Sequence, residues 1–450
     1  MFSTTTFCTI PWVSIQIYPT GDFKTCGFTG NGGNHGLGHD GSGNVMNVLT
    51  HSIKDALNSS LHKEIRLAQS QNKRHPACKT CWDKEDAHAA NMRDGHEYEM
   101  GTETSGGYSF RIQRTFVNLP NQPGYVGVND APAAMSPDGS IDGKIIHLDI
   151  LLSNLCNAKC IHCDPAYSTM WYGDYVNMTG SNEFMVGSKR YQITKKDNKY
   201  VTDMVKWHDS PIWWEQFESI APNLRSIYFN GGEPFLAPSH DEILDRLIAG
   251  GYASQIRLRY DTNLTVINNK ILERLSHFKE VRLSISVDDI EDRYELIRYP
   301  SKWDRLLENI KTLTSVERKN ITYQITTCIG IYDYYAPLRV IPFFTEMGFK
   351  NYSIRLLRTI DYSKPEFYDA VYLPRHVKEK IVETYETSDL KREHKAVIVG
   401  YLKNNYDKGE EFCKFGMGVF LKRLDTLDKI RGTNWKQTIP ELAEMLEGYY

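Results

Sequence analysis

The chain has 450 residues, 41% of them hydrophobic and 24% charged, with a formal net charge of −3. That is globular composition for about two or three domains, and it excludes collagen-like, disordered and coiled-coil classes as well as a grip on nucleic acid by bulk charge. No run of about 18 apolar residues occurs and the start lacks a basic segment leading into an apolar one, so a cytoplasmic protein with no membrane partner is expected.

Nine cysteines, an odd number, make a poor disulfide framework and point instead to metal binding or reactivity. In chain order, Phe7-Cys8-Thr9-Ile10-Pro11-Trp12 opens a strand-like run over 13–18. A Pro19-Thr20-Gly21-Asp22 turn and Phe23-Lys24-Thr25-Cys26 follow, which reads as a hairpin. It sets Cys8 and Cys26 at the open ends of two strands, close enough to share a metal. Seven glycines between 30 and 43 make a loop in which His35 and His39 read as loop residues rather than ligands. A helical stretch over about 52–71 precedes a turn bearing Cys78-Lys79-Thr80-Cys81-Trp82. Residues 101–143, rich in Gly, Pro, Asn and Ser, read as a linker.

The run 144–152 is β-branched and apolar, a strand. It leads into Cys156-Asn157-Ala158-Lys159-Cys160-Ile161-His162-Cys163, a C-x3-C-x2-C spacing. Three thiolates on one short loop suit three irons of a [4Fe–4S] cube and leave the fourth iron open. A zinc site completed by His162 or a distant ligand is the alternative. Residues 167–207 are a long passage holding Trp171, Tyr172 and Tyr175, either an insertion over the substrate or an aromatic surface hairpin. A strand at 225–229 then ends in Asn230-Gly231-Gly232-Glu233-Pro234, where two glycines permit close backbone approach beside a carboxylate. Further strands are expected at 255–263, ending in Thr262-Asn263, at 281–288, and at 322–329, with a helix to Leu313 beginning near Trp303. Cys328, in the last of these strands, is a candidate hydrogen donor or an inert buried thiol. Cys413 falls in a C-terminal region of helical pattern and is expected to be structural. The polar, amphipathic stretch 425–446 is expected to pack over the other elements.

Cys-x3-Cys-x2-Cys after one strand and Gly-Gly-Glu-Pro after the next resemble the radical S-adenosylmethionine enzymes across roughly 144–358. The resemblance implies an α/β fold, a partial (β/α)6 TIM-type barrel with its site at the C-terminal ends of the strands. Cys156, Cys160 and Cys163 would hold a [4Fe–4S] cluster, whose open iron binds S-adenosylmethionine. One electron would then release a 5′-deoxyadenosyl radical that takes a hydrogen atom from substrate. Gly231, Gly232 and Glu233 would receive the methionine amino group. Ser286 and Arg298 would serve the ribose and the carboxylate, with Thr262 and Asn263 as further ribose candidates. His162 departs from the aromatic residue usual before the last cysteine, although a flat imidazole can pack near adenine.

Cys8, the Gly21-x4-Cys26 spacing and Cys78-x2-Cys81 resemble the twitch module, a shortened SPASM domain, here preceding the barrel. His75-Pro76-Ala77-Cys78, Trp82 and Glu85 resemble a group of radical enzymes with this order. The resemblance implies a second [4Fe–4S] cluster on Cys8, Cys26, Cys78 and Cys81, with zinc as the alternative. Four thiolates saturate a cluster, so electron transfer would be its task. The expected organisation is an auxiliary module at 1–100, a linker at 101–143, the barrel at 144–360 and a helical extension at 361–450. The expected function is oxidation or modification of a peptide or protein side chain, with a reductase, flavodoxin or ferredoxin as electron donor. Oxidation or rearrangement of a sugar or alcohol is the alternative, and a zinc-binding interaction protein a more distant one.

Overall fold

Short apolar runs separated by turns build the central sheet, seen here in a computed structural model that describes residues 6–27, 29–30, 36–86, 131–357 and 368–448. Near the start, β1 (Ser14–Ile17) pairs antiparallel with β2 (Phe23–Lys24), Ile17 opposite Phe23. Gly21 turns this hairpin with φ at +79°, a conformation that favours glycine. The helical stretch expected over 52–71 is two helices, Ile53–Ala56 and Ser60–Ser70. Arg66 on the second is buried and knits the module by donating to the carbonyls of Pro11, Leu57 and Gly139 and to Asn58 Oδ1. Cys78 closes a 3-10 turn, Pro76–Cys78, and Cys81 lies on the helix Lys79–Asp86, not on a turn. Most of the stretch 101–143 lies outside the described residues.

β3 (His147–Leu151) runs parallel to β1, with Ser14 opposite His147. The passage 167–207 contains a helix, Trp171–Thr179, and an antiparallel sheet of β4 (Glu183–Val186), β5 (Lys189–Lys196) and β6 (Lys199–Thr202). This small sheet packs Phe184, Val186 and Ile193 on Tyr172 and on Tyr18 at the end of β1, and Lys189 Nζ reaches buried Asp22 Oδ1 at 2.6 Å.

Five more strands follow: β7 (Ser226–Asn230), β8 (Arg257–Thr262), β9 (Glu280–Ser286), β10 (Ile321–Ile329) and β11 (Tyr352–Leu356). The sheet order is β11-β10-β9-β8-β7-β3-β1-β2, parallel except for the final hairpin pair. β3 and β7 to β11 are the six strands of the expected partial barrel, each crossover carried by helix. The module's hairpin extends that same sheet at the β3 edge.

Alternation decides which side chains face where. Leu148, Ile150, Ile227, Phe229, Leu258, Tyr260, Leu283 and Ile285 are buried in one core with helix residues such as Ile243, Leu247, Leu272 and Leu306. Each such side chain contributes about 2 kcal/mol by burial. Their neighbours in sequence, Asp149, Tyr228, Arg259 and Ser284, turn to the opposite, concave side. A second core joins Ile161 and Trp171 to the helix Glu410–Arg431 through Met417, Phe420, Leu424 and Leu427. Among the described residues, no helix is long and apolar enough to cross a membrane.

Candidate active site

The loop after β3 carries Cys156, Cys160 and Cys163, with Cys160 buried and the other two half-buried. Its backbone is pinned at both ends of the Lys159–Ile161 segment: Lys159 N donates to Tyr299 O at 2.7 Å and Ile161 N to Ile297 O at 2.9 Å. Donors turn toward the sulfurs. Ala158 N lies 3.5 Å and Asn263 Nδ2 3.8 Å from Cys156 Sγ, and Arg298 Nη1 lies 3.9 Å from Cys160 Sγ. Burial, helped by neighbouring Cys160, pushes the Cys156 thiol up to about 12. A bound metal reverses that preference, because a coordinated thiol is deprotonated.

Gly-Gly-Glu follows β7 and packs directly on this loop. A Cβ on Gly232 would stand 2.3 Å from Leu155 O, so no larger residue fits without moving backbone. Gly231 has φ +79°, and Glu233 N donates to Leu155 O at 2.8 Å. The Glu233 carboxylate is buried and accepts from Thr262 Oγ1 and from Asn263 N, each at 2.7 Å. Burial raises its pKa to about 7, against the pull of those two donors. Thr262 and Asn263, considered from sequence as sugar contacts, therefore spend the hydroxyl and the backbone amide on Glu233.

Ser286 closes β9. Arg298 is buried, its Nε 2.9 Å from Asp288 Oδ2 as an ion pair without hydrogen-bond alignment. Burial opposes its charge, but Asp288 and Cys160 outweigh that and raise its pKa. Asp288 Oδ1 accepts from Cys328 N at 2.9 Å, so Cys328 on β10 is tied to the same corner. His162 is stacked on Tyr332 with ring centroids 6.0 Å apart, and its Nδ1 is 3.1 Å from the Tyr332 hydroxyl.

Cys8, Cys26, Cys78 and Cys81 line one cleft of about 630 Å³, open to solvent, together with Thr25, Gln69, Lys73, His75 and Trp82. Gln69 Nε2 donates to Cys8 O at 3.2 Å and Gln69 Oε1 accepts from Trp12 Nε1 at 2.8 Å, holding one wall. Two distant pairs of cysteines thus meet at one place, a donor set that suits a cluster. Among the described residues, no three His, Cys, Asp or Glu side chains gather tightly enough to share a single metal ion. His35 lies outside the described residues, and His39 sits in an antiparallel bridge with Val45. Cys413 is buried among the C-terminal helices, its Sγ 3.6 Å from Leu373 O.

The family profile of the Radical SAM superfamily matches residues 150–333, and that of SPASM, an iron–sulfur cluster-binding domain, matches residues 8–82. The chain carries a Radical SAM domain and, ahead of it, a SPASM domain. An uncharacterized protein of Methanocaldococcus jannaschii, MJ0907, is 24% identical over 219 residues, 48% of this chain and 64% of that protein. Among solved structures, anSMEcpe with bound AdoMet is 18% identical at a TM-score of 0.36, over 54% of this chain and 58% of that one. SuiB of Streptococcus suis bound to precursor peptide SuiA is 15% identical at a TM-score of 0.34, over 76% of this chain and 66% of SuiB. The alignments thus span somewhat under two thirds of each relative's own length. A radical SAM enzyme with a SPASM domain takes S-adenosylmethionine and [4Fe–4S] clusters as cofactors.

The concave face of the radical SAM barrel holds residues that motif spacing did not single out. Asp149 on β3 accepts from Gln16 Nε2 of β1 at 2.8 Å and from Asn230 Nδ2 of β7 at 2.6 Å. Burial lifts its carboxyl to about 7. A Cβ on Gly27, the residue after Cys26, would come within 3.9 Å of Asp149 Oδ2. Asp149 therefore stands between the SPASM domain and the Gly-Gly-Glu loop. Further along the face, Asp261 accepts from Tyr228 Oη at 2.6 Å and from Arg355 Nη1 at 2.8 Å, across the curl of the sheet from β8 to β11. Burial works against the Asp261 charge, and Arg355 and Arg259 overcome it to lower its pKa. The signal for this set was available as polar residues at every second position of apolar strands.

Proposed function

We propose that Cys156, Cys160 and Cys163 hold the first cluster and that Cys8, Cys26, Cys78 and Cys81 hold a second. On this reading the enzyme oxidises a side chain of a polypeptide. Held there, a [4Fe–4S] cluster and S-adenosylmethionine would supply the radical chemistry needed to take a hydrogen atom from substrate. The residues of the chain do the rest. Glu233, backed by Thr262 and the Asn263 amide, receives an ammonium, and the arriving cation favours its ionised form. Arg298 and Ser286 orient the carboxylate and the ribose, the arginine as a planar fork. The buried walls exclude water from a reactive intermediate.

Oxidation needs a proton and a second electron to leave the substrate radical. Asp149 is the proton acceptor in this reading: it lies on the concave face with a carboxyl near neutrality. Cys8, Cys26, Cys78 and Cys81 would hold a saturated cluster with no open iron for substrate, which would supply an acceptor for that electron. The observation that carries the reading is the convergence of those four cysteines beside β1, which shares the barrel sheet through β3. The polypeptide substrate and a flavodoxin- or ferredoxin-type electron donor rest on the SPASM resemblance.

The test is anaerobic incubation of reconstituted, dithionite-reduced protein and S-adenosylmethionine with peptide and small-molecule fractions of the source cells. The expected result is 5′-deoxyadenosine release stimulated by the peptide fraction, with a peptide two hydrogens lighter. Stimulation by the small-molecule fraction alone would overturn the polypeptide assignment, and release without any oxidised product would overturn the oxidation.

A further inference from the structure

Trp171, on the first helix after the cysteine loop, is fully buried and donates its indole N–H to Cys160 O at 3.0 Å. Two guanidiniums of the helix Glu410–Arg431 lie over its ring: Arg423 at 5.0 Å and Arg431 at 4.9 Å from the centroid. Each arginine is fixed in turn. Arg431 Nε donates to Asp174 Oδ2 at 2.8 Å, and the other oxygen of Asp174 takes Lys159 Nζ, from inside the cysteine loop, at 2.6 Å. Arg423 Nε donates to the Tyr368 hydroxyl at 2.6 Å, and that hydroxyl donates to Ile161 O, one residue past Cys160. Arg431 also lies over the ring of Tyr299, whose carbonyl accepts Lys159 N.

Burying a guanidinium is costly unless its charge is answered. Nη1 and Nη2 of Arg431 are buried without a hydrogen-bond partner, so its answer is one carboxylate and two aromatic faces. Such stacking contributes about 2 kcal/mol when desolvated. Lys159, Cys160 and Ile161 thus all trace back to one C-terminal helix, roughly 250 to 270 positions further along the chain and outside both matched domains.

The geometry points to the helix Glu410–Arg431 as a clamp on the cysteine loop, with Trp171, Arg423 and Arg431 as positioning residues for Cys160. This rests on the reading that the loop carries the first cluster. The clamp has an electrostatic consequence. Reduction adds negative charge to a thiolate-bound cluster, and two fixed cations behind the loop favour the reduced state. None of the three side chains has to touch the cofactor for this to hold.

The test compares wild type with Trp171→Phe, Arg431→Met, Arg431→Lys and Arg423→Met, as anaerobically reconstituted holoprotein. Hydrogen exchange over residues 156–163 and redox titration followed by electron paramagnetic resonance are read, with the second cluster as internal control. Trp171→Phe removes one buried hydrogen bond, so loop amides should exchange about five- to tenfold faster. Arg431→Met should lower the midpoint of the first cluster and leave that of the second unchanged, and Arg431→Lys should restore most of the midpoint but not the loop protection. Arg423→Met, at a half-buried position, gives the same direction with less risk to folding. Unchanged loop exchange and an unchanged first midpoint in folded variants would overturn the clamp. A wild type lacking a first-cluster signal would overturn the ligand assignment instead.

Discussion

The Glu233 carboxylate and the backbone amide of Asn263 lie 2.7 Å apart, and the side-chain amide of the same asparagine reaches to 3.8 Å from Cys156 Sγ. One residue therefore braces both the acidic end of the Gly-Gly-Glu loop and the first cysteine. The two motifs, separate in sequence, form one unit because β7 and β8 are neighbours and end at the same level.

Glu233→Gln is expected to break this unit chemically while leaving its shape. The glutamine Oε1 can still accept from the Asn263 N–H, but the Thr262 hydroxyl would lose its acceptor and the negative charge would be gone. S-Adenosylmethionine binding should weaken at least tenfold, about 1.4 kcal/mol, with iron content unchanged. Equilibrium dialysis under anaerobic conditions measures it, and unchanged affinity would remove Glu233 from the cofactor site.

Gly232→Ala tests the close approach of the two loops. With a Cβ 2.3 Å from Leu155 O, one backbone segment has to shift. A destabilisation of about 1–3 kcal/mol is expected, as for overpacking elsewhere, together with loss of 5′-deoxyadenosine release. Retention of wild-type release would show that the loops need not touch.

Replacing Cys78 and Cys81 together with alanine should halve the iron and block product formation while the first cluster still assembles. Iron and acid-labile sulfide analysis reads the first outcome. Unchanged iron would mean that the cleft lined by these cysteines holds no cluster.

Asp149 should leave a pH signature in stability. Burial raises its folded pKa to about 7, whereas the unfolded chain loses this proton near the ordinary value of 3.8. The folded state therefore holds the extra proton between those values, and stability from this group is fullest at low pH and declines as pH rises toward 7. Wild type minus Asp149→Asn should fall by about 2 kcal/mol in unfolding free energy between about pH 5.5 and about pH 8. Anaerobic denaturant titration at the two pH values measures it, and a flat difference would show that the carboxyl is already ionised at low pH.

Local spacing by itself determined a great deal here. Cys156, Cys160 and Cys163 sit on one loop, and Gly231 and Gly232 precede Glu233 at a strand end, because these are short-range relations that any fold must respect. The hairpin before Cys26 was legible for the same reason, through its turn residues and short apolar strands, whereas Cys8 stands not at a strand end but ahead of a short helix, Ile10–Val13.

Only the tertiary structure decided the rest. Nothing near Ser14 specifies His147 as its partner across the sheet, so the joining of the SPASM hairpin to the barrel edge could not be read along the chain. The meeting of Asp261 with Arg355 depends on how far the sheet curls, and the stacking of Arg431 on Trp171 on where a C-terminal helix comes to rest. Thr262, at the end of β8, meets Glu233 only because the neighbouring loop carries that carboxylate beside it. Residue types and spacing specify which chemistry is possible. Long-range packing, whose energy comes from burial shared among many distant side chains, decides which of those groups stand together.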